Sequence, residues 1–242
     1  MSRTERIELL AEALDRRRSI RLRDAATLLG VSEMTVRRDI ASSSAFGCFG
    51  GHVVGPDHAP GTIAQMDGGK RDALSQARLA ASKAAAKRLI DDETIFIDCG
   101  MTLTLFARLI PFDVHLTVVC YSLDVAGILR QKPNVRMILL GGVYVPSSDS
   151  FSSDESLEIL RRIGLNRAFI SADGVDAARG VTCCNFHEAA IKQVTMASAV
   201  ACHLVVDTSK FGTVRAVRFA QLDDFDSVFT ENDCIVSAGQ LN

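Results

Sequence analysis

Two groups of residues in this 242-residue chain carry chemistry that a plain globular domain does not need. The first is Ser32, Met34, Thr35, Arg37 and Arg38, within the segment VSEMTVRRDI. On a helix, Val36 and Ile40 share one face, Met34 and Arg38 lie opposite, and Thr35 and Arg37 flank them. Such an outer face fits a DNA major groove. There Arg donates two hydrogen bonds to guanine O6 and N7, and Thr or Met meets a thymine methyl. Adjacent arginines can instead hold backbone phosphates, which positions a protein without reading sequence. A plainly solvated helix face also shows such pairs.

The second group consists of polar residues that follow short apolar runs: Asp98, Gly100 and Thr102; Tyr121 and Ser122; Gly141 and Gly142; Asp173 and Gly174; and Lys210 at the end of DTSK. Gathered on one edge of a sheet, they would form a pocket for a small phosphorylated polyol. Free N–H groups at the helix start beyond Gly100 favour phosphate, and Lys210 would pair with a phosphate or carbonyl. Glu188, early on its own helix, would accept sugar hydroxyls. Each residue alone has an ordinary reading. Gly and Asp at strand ends are common turn residues, and Glu188 would also complement a helix dipole.

The elements that must position the first group are written locally. Leu22, Ala25, Ala26, Leu28 and Leu29 recur at helical spacing and predict an apolar face. Gly30 suits a left-handed helix stop, and Ser32 suits the N-cap of the next helix. Val31 and Val36 stand at the spacing of a hydrophobic staple. Together they specify a helix-turn-helix. Upstream, Ser2 and Glu5 form a capping-box pair, followed by a stripe of Ile7, Leu10, Ala11 and Leu14. Residues 19–21 suit an edge strand. Downstream, FGCFGGHVVG places two apolar runs around Gly50-Gly51, which predicts a hairpin wing; His52 there would donate to phosphate or stay solvated. Residues 56–72, rich in Pro and Gly, form a linker.

Beyond the linker, helices over 73–90, 102–110, 123–130, 155–163 and 187–199 alternate with strands over 94–98, 116–120, 135–140, 168–171, 204–206 and 227–229. In the first of these helices, which is rich in Ala, Leu79, Ala86 and Ile90 are expected to share one side. Continuous apolar strands separated by helices imply a mostly parallel sheet covered on both faces, with ligands at the strands' carboxyl ends. The expected organisation is therefore α/β: a winged helix-turn-helix over 1–55, a linker over 56–72, and an effector-binding and oligomerisation domain over 73–242.

Composition narrows the classes. The net charge of −2 argues against a generally basic coat for nucleic acid. Residues 1–55 hold nine Arg against seven acidic residues. The remainder holds eighteen basic against twenty-two acidic, so a net +2 head precedes a −4 body. That distribution fits local DNA contact. The amino-terminal stretch has no apolar secretory core, and no apolar run is long enough to span a bilayer. Seven cysteines without a framework suggest reduced thiols in a cytosol, so a cytoplasmic location is expected. The run Cys183-Cys184-Asn185-Phe186-His187 lacks a second ligand pair at a plausible spacing, so no metal is expected. Nothing calls for a cofactor.

The segment DAATLLGVSEMTVRRDI resembles the helix-turn-helix signature of the DeoR family of bacterial regulators. FIDCG, VVCYSLDVAGIL, LLGG, SADGVDAARGVTC and VVDTSKFG are similar to that family's sensor domain. The resemblance implies a sensor fold like that of ribose-5-phosphate isomerase and glucosamine-6-phosphate deaminase. It also implies release from operator DNA by a sugar phosphate, with 2-deoxyribose 5-phosphate as first candidate. By position, Asp98, Gly100 and Thr102 match the family's phosphate loop, and Glu188 and Lys210 match other pocket positions. One residue departs: the family loop carries a hydroxyl residue where this chain has Met101, so one phosphate donor is missing. The expected function is a DNA-binding repressor, and paired DNA half-sites imply a homo-oligomer. The alternative is a sugar-phosphate isomerase-like enzyme using Asp98, Glu188 and Lys210 as acid-base groups.

Overall fold

The computed structural model describes residues 3–15, 19–41, 46–49, 52–54 and 70–236. The chain divides into two compact units, Met1–Asp67 and Gly68–Asn242. Ser2 of the expected capping box, the Gly50-Gly51 turn, the His52 side chain and most of the expected linker lie outside the described residues. Residues 70–72, expected in the linker, are helical.

The first unit runs α1 (Arg3–Asp15), β1 (Ser19–Arg21), α2 (Leu22–Leu29), α3 (Glu33–Ala41), β2 (Gly47–Phe49) and β3 (His52–Val54). Its core gathers Leu10, Ile20, Leu22, Ala25, Ala26, Leu29, Val36, Ile40, Phe46 and Val53, with Ile7, Ala11, Leu14 and Val31 packed against them. Leu28 does not belong to that face and is 48% exposed. The inner stripe of α2 runs 22, 25, 26, 29, and position 28 falls about 100° away from 29. The helix ends on Gly30 at φ 64°, whose N–H donates to the Thr27 carbonyl while that of Val31 reaches back to Ala26. This paired closure is the Schellman motif. The strands form an antiparallel sheet in the order β1-β3-β2, with Ile20 opposite Val53. The fold is a winged helix.

The second unit begins with α4 (Lys70–Ala86), β4 (Glu93–Ile97), α5 (Met101–Arg108), β5 (Leu116–Cys120), α6 (Leu123–Leu129) and β6 (Val135–Leu139). It continues with β7 (Val143–Val145), β8 (Ser150–Ser152), α7 (Asp154–Leu160), β9 (Leu165–Ile170), β10 (Gly174–Asp176) and β11 (Gly180–Cys183). Next come α8 (Phe186–Ser198), β12 (Ala199–Val205), β13 (Val217–Ala220), β14 (Ser227–Thr230) and β15 (Asp233–Val236). The main sheet has the order β15-β14-β12-β9-β4-β5-β6. All its neighbouring pairs are parallel except β14 with β15.

Successive strand residues enter opposite cores, as the two-residue period requires. Phe96, Ala168, Ile170 and Leu204 enter one core; Ile95, Ile97, Phe169 and Val205 enter the other. Two features differ from the sequence-based expectation. The fully buried face of α4 is Ala81, Ser82 and Ala85, and of the expected residues Ala86 packs partly buried against the same core while Ile90 lies beyond the helix and is 51% exposed. The other is a set of short antiparallel strands, in the sheet β10-β11-β13 and the hairpin β7-β8. Their partners lie far apart in sequence or in runs too short to show a period.

Candidate functional site

In the winged helix, local chemistry orients α3. Ser32 Oγ accepts the Thr35 N–H at 3.2 Å and lies 2.9 Å from the Thr35 hydroxyl. Ser32 is thus the N-cap, and Val31 packs on the cluster containing Val36 as a staple does. Val36 and Ile40 are buried, whereas Met34 is 73% exposed and Arg37 and Arg38 are exposed. Sequence reasoning missed Asp39. Its carboxylate is buried and accepts a hydrogen bond from Arg6 Nε at 2.7 Å, tying α3 to α1. That bond to Arg6 holds the carboxyl below its usual range.

In the second unit, Asp98 directly follows β4 and has no solvent exposure. One oxygen accepts the Tyr121 hydroxyl at 2.7 Å, and the other accepts both the Ser171 N–H and its hydroxyl at 2.8 Å. The Lys192 ammonium, buried on α8, donates to that second oxygen and to the Ser171 carbonyl at 3.1 Å. Burial pushes the Asp98 carboxyl up, but Lys192, Ser171 and Tyr121 outweigh it and hold the group below its usual value. Burial pushes Lys192 down, and Asp98 together with Cys99 and Glu188 more than reverses that. Tyr121, also fully buried, has its phenol pushed well up by burial and then by Asp98. Tyr121 therefore braces Asp98 from within and faces no solvent in this conformation. Sequence reasoning missed Lys192; its spacing of four from Glu188 on one helix face was the available signal.

Around this network the expected residues take different parts. A methyl group added at Gly100 would lie 3.7 Å from the Ser171 hydroxyl, so the loop into α5 runs beside it. Thr102 is buried in the first turn of α5, its carbonyl accepting from Ser82. Glu188 accepts from Asn185, and burial raises its carboxyl against the pull of Lys192. Asp173 accepts the Cys184 N–H at 3.1 Å. Lys210 follows Asp207, which is buried and pairs with Arg78 at 3.3 Å. Asp98, Gly100, Tyr121, Asp173 and Glu188 thus cluster about Ser171 and Lys192.

Four expected residues have local structural reasons for their identity or place. Ser122 caps α6 by accepting the Val125 N–H. Gly142, at φ 135°, has no room for a side chain because a Cβ would lie 2.4 Å from the Ser152 carbonyl. Gly174 is equally close to the Thr213 carbonyl. Gly141 accepts the Ser156 hydroxyl at 2.7 Å. A cavity of about 330 Å³ opens at the amino ends of β5 and β6, lined by residues that include Asp92, His115, Asn134 and Arg136, and it contains none of the expected residues.

Comparison with known proteins agrees with both halves of the chain. The DeoR-like helix-turn-helix domain matches residues 6–51, and the DeoR C terminal sensor domain matches residues 74–232. The chain is 37% identical to the deoxyribose operon repressor of Escherichia coli K12, covering 95% of this chain and 90% of that protein. It is 26% identical to the L-fucose operon activator of Haemophilus influenzae over 93% and 91%. Among solved structures, the translation initiation factor eIF-2B of Pyrococcus horikoshii aligns with a TM-score of 0.51 at 14% identity, covering 71% of this chain and 68% of that one. Ribose 5-phosphate isomerase A of Methanocaldococcus jannaschii aligns at 0.40 and 18% identity over 55% and 53%. With a winged helix, a parallel sensor sheet, and a sensor-domain match over most of its length, the chain belongs to the DeoR family of transcriptional regulators.

Proposed function

We propose that the protein is a cytoplasmic repressor of a sugar or deoxyribonucleoside catabolic operon. It binds operator duplex through α3 as a homo-oligomer and is released by a sugar phosphate, with 2-deoxyribose 5-phosphate as first candidate. The observation that carries this reading is the outer face of α3. Met34, Arg37 and Arg38 stand exposed on a helix whose angle is set by the Ser32 cap and the Arg6–Asp39 pair. Likeness to a deoxyribose operon repressor supports the choice of effector. Among the described residues no helix is long and apolar enough to cross a membrane.

Release requires that the effector bind the operator-free state more tightly than the operator-bound one. Couplings of this kind run to about 1–3 kcal/mol. A gel shift on the chain's own upstream region with a panel of sugar phosphates is the direct test. Deoxyribose 5-phosphate should weaken the complex, and unchanged binding at saturation removes that effector. Arg38→Ala should weaken operator binding more than random-duplex binding, by about 1–3 kcal/mol if Arg38 reads a base; equal losses would make it a phosphate contact. The isomerase-like alternative is disfavoured because the Asp98 carboxylate has no solvent exposure and both its oxygens are engaged by Tyr121, Ser171 and Lys192.

A further inference from the structure

The loop that should bind phosphate lacks a hydroxyl at Met101, and the structure brings another donor to the same place. Arg78, on α4, reaches the carboxyl end of the sheet with its side chain 16% exposed. Its Nε donates to buried Asp207 at 3.3 Å. Its Nη1 points at the Met101 thioether, 3.6 Å away. Asp207 is itself anchored, since its other oxygen accepts from the Ser209 N–H at 3.2 Å and from the Ser209 hydroxyl. The guanidinium is therefore fixed at one edge and directed at the first residue of α5 by the other.

A thioether is a weak acceptor, and a guanidinium carries five N–H donors in a planar fork. A charged donor aimed at sulfur makes a poor hydrogen bond, and an anionic oxygen in the same place would make a strong one. Helix geometry leaves the first N–H groups of α5 without intrahelical acceptors. Gly100, as N-cap, has no side chain to take one. Met101 is 65% exposed, so its side chain can move aside at little packing cost.

We propose that Arg78 is the phosphate-binding cation of the effector site, oriented by Asp207. A phosphate oxygen replaces the Met101 sulfur on Nη1 while the first turn of α5 donates to the remaining oxygens. Arg78 thereby supplies the donor that the loop lacks at position 101. This deepens the proposed function and rests on its reading of the strand-end cluster as a sugar-phosphate site.

The test measures binding midpoints of the full chain by thermal shift, with inorganic phosphate, 2-deoxyribose 5-phosphate and unphosphorylated 2-deoxyribose as probes. Operator release is read separately by gel shift. Arg78→Met should raise the midpoint for both phosphate compounds about tenfold to a hundredfold. Arg78→Lys should recover part of that, since it keeps the charge and loses the fork. Met101→Thr, at an exposed position, should lower the midpoint several-fold and keeps the inference testable if an Arg78 variant fails to fold. Phosphate binding by the unsubstituted chain with no change in any of these variants overturns the inference and leaves the proposed function standing. Binding that depends on Arg78 without operator release upholds the inference and sinks the proposed function. No phosphate binding at all sinks both.

Discussion

The winged helix and the sensor sheet treat charge in opposite ways. The first unit leaves Arg37 and Arg38 at the surface and buries one cross-helix carboxylate, Asp39, against Arg6. The second buries an ammonium, a carboxylate and a phenol together in Asp98, Lys192 and Tyr121. A surface that meets phosphates gains from charges that stand in solvent. A loop that must hold its shape at the end of a strand gains from an interior network in which every group is satisfied. The turn of the first unit is set by contacts close in sequence and its Arg6–Asp39 pair spans 33 residues, whereas the Asp98–Lys192 pair of the second spans 94.

The sharpest way to break that comparison is Lys192→Met. It leaves Asp98 buried without its cation and should cost about 3–5 kcal/mol. In chemical denaturation, the loss should fall on the sensor's transition; a cost under about 1 kcal/mol would mean that the pair does not hold the loop. Leu29→Ala, in the small core of the winged helix, should cost about 3 kcal/mol. Operator binding should go, while phosphate-induced thermal stabilisation of the sensor remains.

A third probe is pH. His203 is buried between Phe169 and Phe229 with neither ring nitrogen hydrogen-bonded, and burial pushes it down to about 4. Arg167 and Arg88 add to the shift, and Asp226 opposes it. Between pH 4 and 6.5 the unfolded chain therefore binds the extra proton. Stability is full above 6.5 and declines as pH falls toward 4, by up to about 3 kcal/mol. His203→Phe should flatten that decline; an unchanged pH profile would exclude His203 as its source. The smallest effect is expected from Ser32→Ala, which removes the α3 cap at about 1 kcal/mol. Thermal melting of the winged helix would register it as a small downward shift.

How much could be read in advance follows the same division. Gly30, Ser32, Val31 and Val36 act on neighbours within five residues, so the turn was legible from spacing alone. The parallel strands were legible as apolar runs between helices. The site was half legible. Asp98 and Gly100 follow β4 as the strand-end rule expects and Glu188 lies early on α8, but the side chains of Asp98 and Tyr121 turned out to face inward. Lys192 showed only its spacing from Glu188, and Ser171 and Arg78 showed nothing, because each meets a partner remote in the chain. Met101 marked a missing donor without showing what stands beside it.

The amino acids by themselves determined the helix-turn-helix, the alternation of strands and helices, and the glycine stop at Gly30, since backbone sterics and local hydrogen bonds decide those. Only the tertiary structure decided which charges are buried together, which glycines are required by a neighbouring strand, and that the Arg78 guanidinium faces the head of α5. Those outcomes depend on distances between residues far apart along the chain, and local pattern carries no information about them until the sheet has closed.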